Sequence, residues 1–365
     1  MFDAATDTAF RRSILEAPDD DAPRLVYADW LDEHGESDRA EFIRLQIRYA
    51  RMSPGDPDRP ALKSVVDQIG QAHHVEWVNQ LPQFDDVHWE IFDRGFISAV
   101  RFDSPDAFFA AAKKVFAAAP IREVRLHQFR FHHAERLAES PYLTQIRTLD
   151  LNDGNLIANQ GVEALMGSPQ LSSLTELKLG GNSLGSAGLR AIAQSPYVRG
   201  LERLDLQRND VWDDGLKYLA ASPTLAGLGR LDLERTRTGN DGVLALARSK
   251  HLTRLNWLHL GGNTISDRAI VGLAGSPVVA ELRDLFLHSN DIRDRGAAAL
   301  AEAPGLGKLL RLFLRHNQIR DDGAIAIAAS PYLGRLQELQ LGENRISDWA
   351  GDKLRARFGN RVNLY

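Results

Sequence analysis

The sequence predicts an α/β fold in which a curved solenoid follows a small helical N-terminal domain. Three observations support this prediction: a leucine pattern recurs every 27 residues, an asparagine closes almost every copy, and a short helical segment follows each asparagine. Parallel strands are expected to line the concave side of such a solenoid, and helices its convex side. Hydrophobic residues make up 44% of the 365-residue chain, which is enough apolar material for a continuous core.

Each copy of the leucine pattern reads L-x-x-L-x-L-x-x-N, as in LERLDLQRN and LRDLFLHSN. The L-x-L part predicts a short strand, because alternate residues of a strand point to opposite faces. The asparagine is expected to turn the chain and to bond backbone groups that the turn leaves unpaired. Thr236 takes this place once and can bond only part of those groups, so its unit is predicted to be locally weak. The predicted ladder of structural asparagines comprises Asn155, Asn182, Asn209, Asn263, Asn290, Asn317 and Asn344.

A helix start follows each of these turns. The fourth residue after each turn position is of a type that accepts hydrogen bonds from the first amides of a helix, so it is predicted to cap the helix of its own unit. A proline ends most of the predicted helices. One strand, turn and helix cannot bury a core alone, so the units are expected to stack. The predicted N-caps are Asn159, Ser186, Asp213, Asn240, Asp267, Asp294, Asp321 and Asp348.

The repeat pattern resembles leucine-rich repeats of the ribonuclease-inhibitor type, and the resemblance extends from about residue 121 to the C-terminus. It implies repeats over residues 121–347. A strand and a helix at 87–120 are predicted to form an N-terminal cap. Residues 348–365 depart from the pattern and are predicted to form a C-terminal cap.

The N-terminal part of the chain lacks the repeat. Residues 1–52 are predicted to form three helices, and residues 53–86 a turn-rich linker followed by another helix. The run PRLVYADWLDEHGESDRAEFIRLQ resembles the bacterial repeat-companion domain, a short module found in front of repeats. This resemblance implies a bacterial, intracellular interaction protein and gives the module no activity.

Composition and motifs exclude several kinds of site. The chain has no cysteine, which removes disulfides, thiol nucleophiles and thiolate zinc sites. No motif suggests a bound metal or a nucleophile, so we expect neither an enzyme nor a cofactor. The N-terminus does not read as a secretory signal and no segment is apolar enough to span a membrane, so a cytoplasmic location without membrane contact is expected. The net charge of −5 makes nucleic acid an unfavourable partner.

The register of the predicted strands points to a candidate interaction surface. Residues that flank the central leucines should point out of the concave face, and adjacent strands lie about 4.8 Å apart, so aromatic residues of neighbouring units should form one patch. Clustered aromatic residues beside arginine are typical of interface hot spots. Alternatively, the rings only stack across strands and stabilise the sheet. The predicted partner-binding residues are Trp257, His259, Phe286, His288, Arg311, Phe313, Arg315 and His316.

These observations favour a scaffold or sensor that binds an unidentified partner protein through the concave face. A second hypothesis is a GTPase-activator-like regulator, because some repeat proteins of this type resemble GTPase activators; it depends on analogy of fold alone. A third is an RNA-binding surface in which Trp257, Phe286 and Phe313 stack on bases beside Arg315. The acidity of the chain ranks the RNA hypothesis last.

Overall fold

A computed structural model describes residues 3–53 and 55–364, and the chain divides into two compact units, residues 1–127 and 128–365. The first unit begins with four helices and continues into a small sheet. Its strand β1 pairs antiparallel with β4, β4 pairs parallel with β5, and β2 and β3 form a hairpin. The elements are α1 (Ala4–Glu16), α2 (Ala22–Glu33), α3 (Ser37–Arg51), α4 (Arg59–Asn79), β1 (Val87–Trp89), β2 (Phe92–Asp93), β3 (Phe96–Ile97), β4 (Ala99–Phe102), α5 (Pro105–Ala118) and β5 (Glu123–Leu126).

Local signals in the first unit set where its helices begin and which faces they bury. The Ser104 hydroxyl accepts a hydrogen bond from the Ala107 amide (3.2 Å) and so caps α5. Prolines occupy the first turns of α2 and α4, where the missing N–H would have no helical partner in any case. The apolar faces of the helices meet in two clusters, one around Tyr27 and the other around Phe42 and Trp77.

The second unit alternates short strands with short helices. Turns of 3₁₀ helix follow most of these helices. The strands are β6 (Thr148–Asp150), β7 (Glu176–Lys178), β8 (Arg203–Asp205), β9 (Arg230–Asp232), β10 (Trp257–His259), β11 (Asp284–Phe286), β12 (Arg311–Phe313), β13 (Glu338–Gln340) and β14 (Val362–Asn363). The helices are α6 (Phe131–Ala138), α7 (Ala158–Met166), α8 (Ser186–Gln194), α9 (Trp212–Ala221), α10 (Asn240–Ala247), α11 (Asp267–Ala274), α12 (Asp294–Ala301), α13 (Asp321–Ala329) and α14 (Asp348–Phe358).

Strands β6 to β14 pair in parallel, each with the next along the chain. From β7 to β13 the register is constant, so that Leu204 lies beside Leu231 and Leu231 beside Leu258. The central leucine of each of these strands is buried, because the repeat's helix covers that side of the sheet. The predicted solenoid of parallel strands and helices, preceded by a helical region, is confirmed.

The asparagine in each turn joins two repeats. The Asn263 Oδ1 atom accepts hydrogen bonds from the amides of Thr236 and Thr238 in the preceding repeat (3.0 Å each). Its Nδ2 atom donates to the Leu233 carbonyl of that repeat (2.8 Å) and to the Leu260 carbonyl of its own (3.0 Å). Equivalent bonds to the preceding repeat are made by Asn182, Asn209, Asn290, Asn317 and Asn344.

Six of the eight predicted N-caps bond the start of the next repeat's helix rather than their own, and the helices that begin near Ser186 and Asp348 have Gly185 and Ser347 as caps, so the prediction of self-capping was wrong. Helix α10 begins at Asn240 itself, after Gly239. The Asn240 Oδ1 atom accepts a hydrogen bond from the Ser266 amide (3.0 Å), which immediately precedes α11. A second line of side-chain bonds therefore connects successive repeats on the helix side of the sheet. The same kind of contact is made by Asn159, Asp213, Asp267, Asp294 and Asp321.

Candidate interaction face

The residues that flank the central leucines of β6–β13 form the strand face, which is the side of the sheet opposite the repeat helices. Period-two alternation along each strand puts them there, since the leucine between them points into the core. The parallel register then aligns equivalent residues of successive repeats in rows. Phe286, for example, lies between His259 and Phe313.

Four rings from β10, β11 and β12 form the aromatic patch: Trp257, His259, Phe286 and Phe313. The ring centroids of Trp257 and Phe286 are 5.1 Å apart, and those of His259 and Phe286 are 5.0 Å apart. Phe286 and Phe313 stack at 4.7 Å. Trp257, Phe286 and Phe313 are half-buried and His259 is 8% exposed. The pairing of neighbouring strands thus brings these four residues, which the sequence predicted, into one continuous surface.

A second histidine extends the patch towards the turns. The His288 ring lies 5.1 Å from the His259 ring. Glycine is required beside it, because a Cβ atom at Gly261 would lie 2.6 Å from the His288 ring. Burial lowers the pKa of His259 to about 4 and also lowers the pKa of His288, so both rings are neutral at pH 7.

Asp232 lies beside His259 in the row, and sequence reasoning left it out of the candidate site. Its Oδ1 atom is 3.4 Å from His259 Nδ1, which is buried and has no hydrogen-bond partner in the described part of the chain. Burial raises the pKa of Asp232 to about 7, and the negative charges of Asp205 and Glu234 contribute to the rise. Asp232 occupies the position in its repeat that His259 occupies in the next repeat, and this equivalence in the sequence is the signal that would have identified it. At pH 7 the two histidine rings are therefore neutral, and Asp232 is only partly ionised.

The remaining predicted residues lie at the edge of the patch. Arg311 forms an ion pair with Asp284, and the Arg315 guanidinium is 3.8 Å from Glu343. His316 is exposed and lies in the turn with a φ of 54°. In addition to burial, the positive charges of Arg235 and Arg315 lower the pKa of His288. All eight predicted residues lie on strands β10–β12 or in the turns that follow them.

Charged residues occupy the other half of the strand face, and two of its cations are paired across strands. Lys178 Nζ lies 3.2 Å from Asp150 Oδ2, and Arg203 Nη1 lies 3.0 Å from Glu176 Oε2. Where the two halves meet, the Arg230 guanidinium lies over the Trp257 ring at 5.6 Å. A cavity of about 190 Å³ opens at this junction and is lined by Arg203, Asp205, Arg230, Asp232 and Trp257, among others.

Over residues 3–53 and 55–364, no group of three or more histidine, aspartate or glutamate side chains is arranged to hold a metal ion. Among the helices of the same residues, none combines the length and the apolar character needed to cross a membrane.

Comparison with known proteins identifies the repeats. A family model described as "Leucine Rich repeat" matches residues 142–166, 170–193, 201–220 and 308–328. The chain therefore contains leucine-rich repeats. An internalin from Listeria monocytogenes str. 4b F2365 has a similar solved structure, with 20% sequence identity and a TM-score of 0.44 over 67% of this chain and 68% of that chain. No curated protein sequence matches the chain. The ribonuclease-inhibitor type of the repeats, the companion domain, the bacterial origin and the cytoplasmic location remain predictions.

Proposed function

We propose that this leucine-rich-repeat chain binds a partner protein through the aromatic patch and its edge. The observation that carries the proposal is the continuous row of rings on β10, β11 and β12, with centroids 4.7 to 5.1 Å apart between strands. Solenoids commonly bind other molecules on the surface formed by their strands. Half-buried aromatic residues in a cluster, next to arginine, have the composition of a protein interface hot spot.

The electrostatics of the patch support a protein partner with an apolar contact surface. His259 and His288 are neutral at pH 7 because burial lowers their pKa values. Desolvating neutral rings on binding costs less free energy than desolvating charges. Arg311 and Arg315 lie at the edge, where partly exposed charges contribute to partner selection and association rate.

The same charges argue against RNA as the ligand. Binding of a nucleic acid backbone depends on cations that are available to phosphates. On the strand face Arg203, Arg311 and Lys178 are already paired with carboxylates of neighbouring strands. A phosphate backbone would also meet the acidic side chains of those pairs. The GTPase-activator hypothesis has no supporting contact in the described residues beyond its analogy of fold.

Affinity capture from native lysate tests the proposal. The bait is the full chain, compared with the triple variant Trp257→Ala, Phe286→Ala, Phe313→Ala. The matched control removes three exposed rings from elsewhere in the second unit: Trp212→Ala, Tyr218→Ala, Tyr332→Ala. Each hot-spot ring contributes about 2 kcal/mol or more, so the first triple variant should lose its partner.

The expected result is a protein that the wild type and the control retain and that the patch variant retains at least about tenfold less. Circular dichroism and thermal unfolding must show that all three baits are folded. Equal retention by the patch variant would contradict the proposal and would give the rings a structural role in the sheet. Loss of the captured material after nuclease treatment would contradict it as well, because the ligand would then be a nucleic acid.

A further inference from the structure

The first unit contains an open cavity of about 720 Å³, which is separate from the strand face described above. Helices α1, α2, α3 and α4 and the end of α5 supply its lining. Apolar and aromatic side chains form part of the wall, including Tyr27, Leu31 and Trp77. Arg39, from the first turns of α3, lies in the same lining. A cavity of this size is in the range that holds a small organic molecule.

Aromatic rings surround the guanidinium of Arg39. Its guanidinium lies 4.2 Å from the centroid of Trp77, 5.1 Å from that of Phe92 and 5.7 Å from that of Phe96. Such contacts hold the flat face of a guanidinium and leave its N–H edge available for hydrogen bonds.

The guanidinium of Arg39 has no hydrogen-bond partner among residues 3–53 and 55–364. Its Nη1 atom is buried and makes no hydrogen bond, and no carboxylate oxygen of the described residues lies within 4.0 Å of the guanidinium. Burial lowers the pKa of Arg39 to about 9, so the side chain still carries its charge at pH 7. A recessed cation without a counter-charge costs free energy unless an anion joins it.

Other arginines of the first unit show how the chain normally satisfies such groups. Arg11 lies in the same lining, and its Nε atom is 2.8 Å from Asp7 Oδ2. Arg24 is 3% exposed, and its Nη1 atom donates to the Asp20 carbonyl (2.8 Å). Arg39 differs from both, since the described residues supply it with neither kind of partner.

We propose that the cavity of the first unit binds a small organic anion with one carboxylate and a flat apolar body. The carboxylate pairs with the Nε and Nη2 atoms of Arg39, which are not enclosed as Nη1 is, in a geometry with two parallel N–H···O bonds. The flat body lies against the apolar wall that Tyr27, Leu31 and Trp77 form. The charged residues of the lining are Arg11, Arg12 and Arg39 together with the carboxylates of Asp7 and Glu36, so one positive charge remains unbalanced and matches a ligand with a single negative charge.

Benzoate, benzamide and phenyl phosphate are the probes that test this proposal with the full chain at pH 7 and low chloride. Benzoate has the proposed chemistry, benzamide has the same shape without the charge, and phenyl phosphate has the shape with a greater charge. Isothermal titration calorimetry gives each Kd. The variant Arg39→Met keeps an apolar stem of similar length, and the matched control Arg24→Met removes a buried arginine outside the cavity lining.

Benzoate should bind the wild type at least about tenfold more tightly than benzamide, because only benzoate completes the ion pair. Arg39→Met should weaken benzoate binding about ten- to hundredfold, and Arg24→Met should leave it within about threefold. Benzoate and benzamide binding alike, or neither binding at millimolar concentration, would overturn the proposal. So would equal losses in the two variants, or tighter binding of phenyl phosphate than of benzoate. If Arg39→Met does not fold, the comparison of the three probes on the wild type still decides the question.

Discussion

Two neighbouring repeats of the second unit differ at the turn that follows their strand. After β10, the Asn263 side chain bonds both its own repeat and the preceding one. After β9, the Thr236 hydroxyl donates to the Leu233 carbonyl of its own repeat (2.8 Å) and contacts the Thr238 hydroxyl (3.0 Å). In the described residues, no side-chain bond from Thr236 reaches the preceding repeat.

The difference shows what the amide contributes to the solenoid. An asparagine side chain has a donor group and an acceptor, and it spans the turn to join two repeats. The threonine hydroxyl is shorter: it donates to the Leu233 carbonyl of its own repeat and lies 3.3 Å from Asn263 Oδ1 of the following repeat, but among the described residues it does not bond the preceding repeat. As a consequence, the Val211 amide has no acceptor among the described residues, although the equivalent amides of Leu184 and Thr238 donate to an asparagine. The sequence-based prediction of a locally weak unit has this physical basis.

Removing the two turn side chains in separate variants should produce effects of clearly different size. Asn263→Ala leaves the buried amides of Thr236 and Thr238 without an acceptor, and we expect it to lower the free energy of unfolding by about 3–5 kcal/mol. Thr236→Ala removes one hydroxyl whose carbonyl acceptor is still bonded by Asn263, and we expect a loss of about 1–2 kcal/mol. Urea unfolding of the full chain measures both values. Equal losses would mean that the bonds between repeats contribute no more than those within a repeat.

Restoring the usual turn in the weak repeat should stabilise the solenoid. In the double variant Thr236→Asn, Thr238→Ile, the new asparagine supplies the Val211 amide with an acceptor. The isoleucine replaces a buried hydroxyl with an apolar side chain, as Ile265 has at the equivalent position of the next repeat. We expect a gain of about 1–2 kcal/mol in the free energy of unfolding. Thr238→Ile alone is the control and should give a smaller change, since it leaves the Val211 amide without an acceptor. A double variant no more stable than this control would contradict the account of the turn.

The repeat architecture was predictable because a constant interval fixes both the elements and their register. Once Leu204 and Leu231 occupy equivalent places, Arg203 must lie beside Arg230 and Asp205 beside Asp232. The N-cap positions show the limit of that reasoning. The residue type at Asn240 indicates that a helix start needs an acceptor, but not which helix start, because the next repeat lies as close as its own.

The chemistry of the candidate sites was less predictable, because burial depends on packing that no local pattern specifies. The positions of Trp257, Phe286 and Phe313 within their repeats predicted that these residues lie close together. The burial of Asp232 and His259 is visible only in the folded chain. Arg39 is a stronger example. It lies outside the repeats, so no register links it to the rings of Trp77, Phe92 and Phe96, and its sequence neighbours resemble those of an ordinary helix.

The same two repeats also differ on the strand face, where β9 carries Asp232 and β10 carries His259. The two groups have opposite linkage to pH. The pKa of Asp232 is raised from 3.8 to about 7, so its contribution to stability is complete below pH 3.8 and is lost as pH rises through 7. The pKa of His259 is lowered from 6.5 to about 4, so its contribution is complete above pH 6.5 and is lost as pH falls through 4. Between pH 4 and 6.5 a rise in pH therefore reduces the contribution of Asp232 to stability and increases that of His259.

Single variants should therefore reveal how each group changes the free energy of unfolding with pH, because the two effects largely cancel in the wild type. Relative to the wild type, Asp232→Asn should become more stable as pH rises from 4 to 6.5, and His259→Phe should become less stable over the same interval. Each slope is expected to stay below about 1.4 kcal/mol per pH unit, which is the limit for one group. The double variant, which lacks both groups, should parallel the wild type. Urea unfolding at four pH values measures the slopes, and NMR titration of the His259 ring measures its protonation. The account would be contradicted if the His259 ring were protonated at pH 6 and the single variants had the same pH dependence of stability as the wild type. Asp232 and His259 would then form an ion pair rather than two neutral groups.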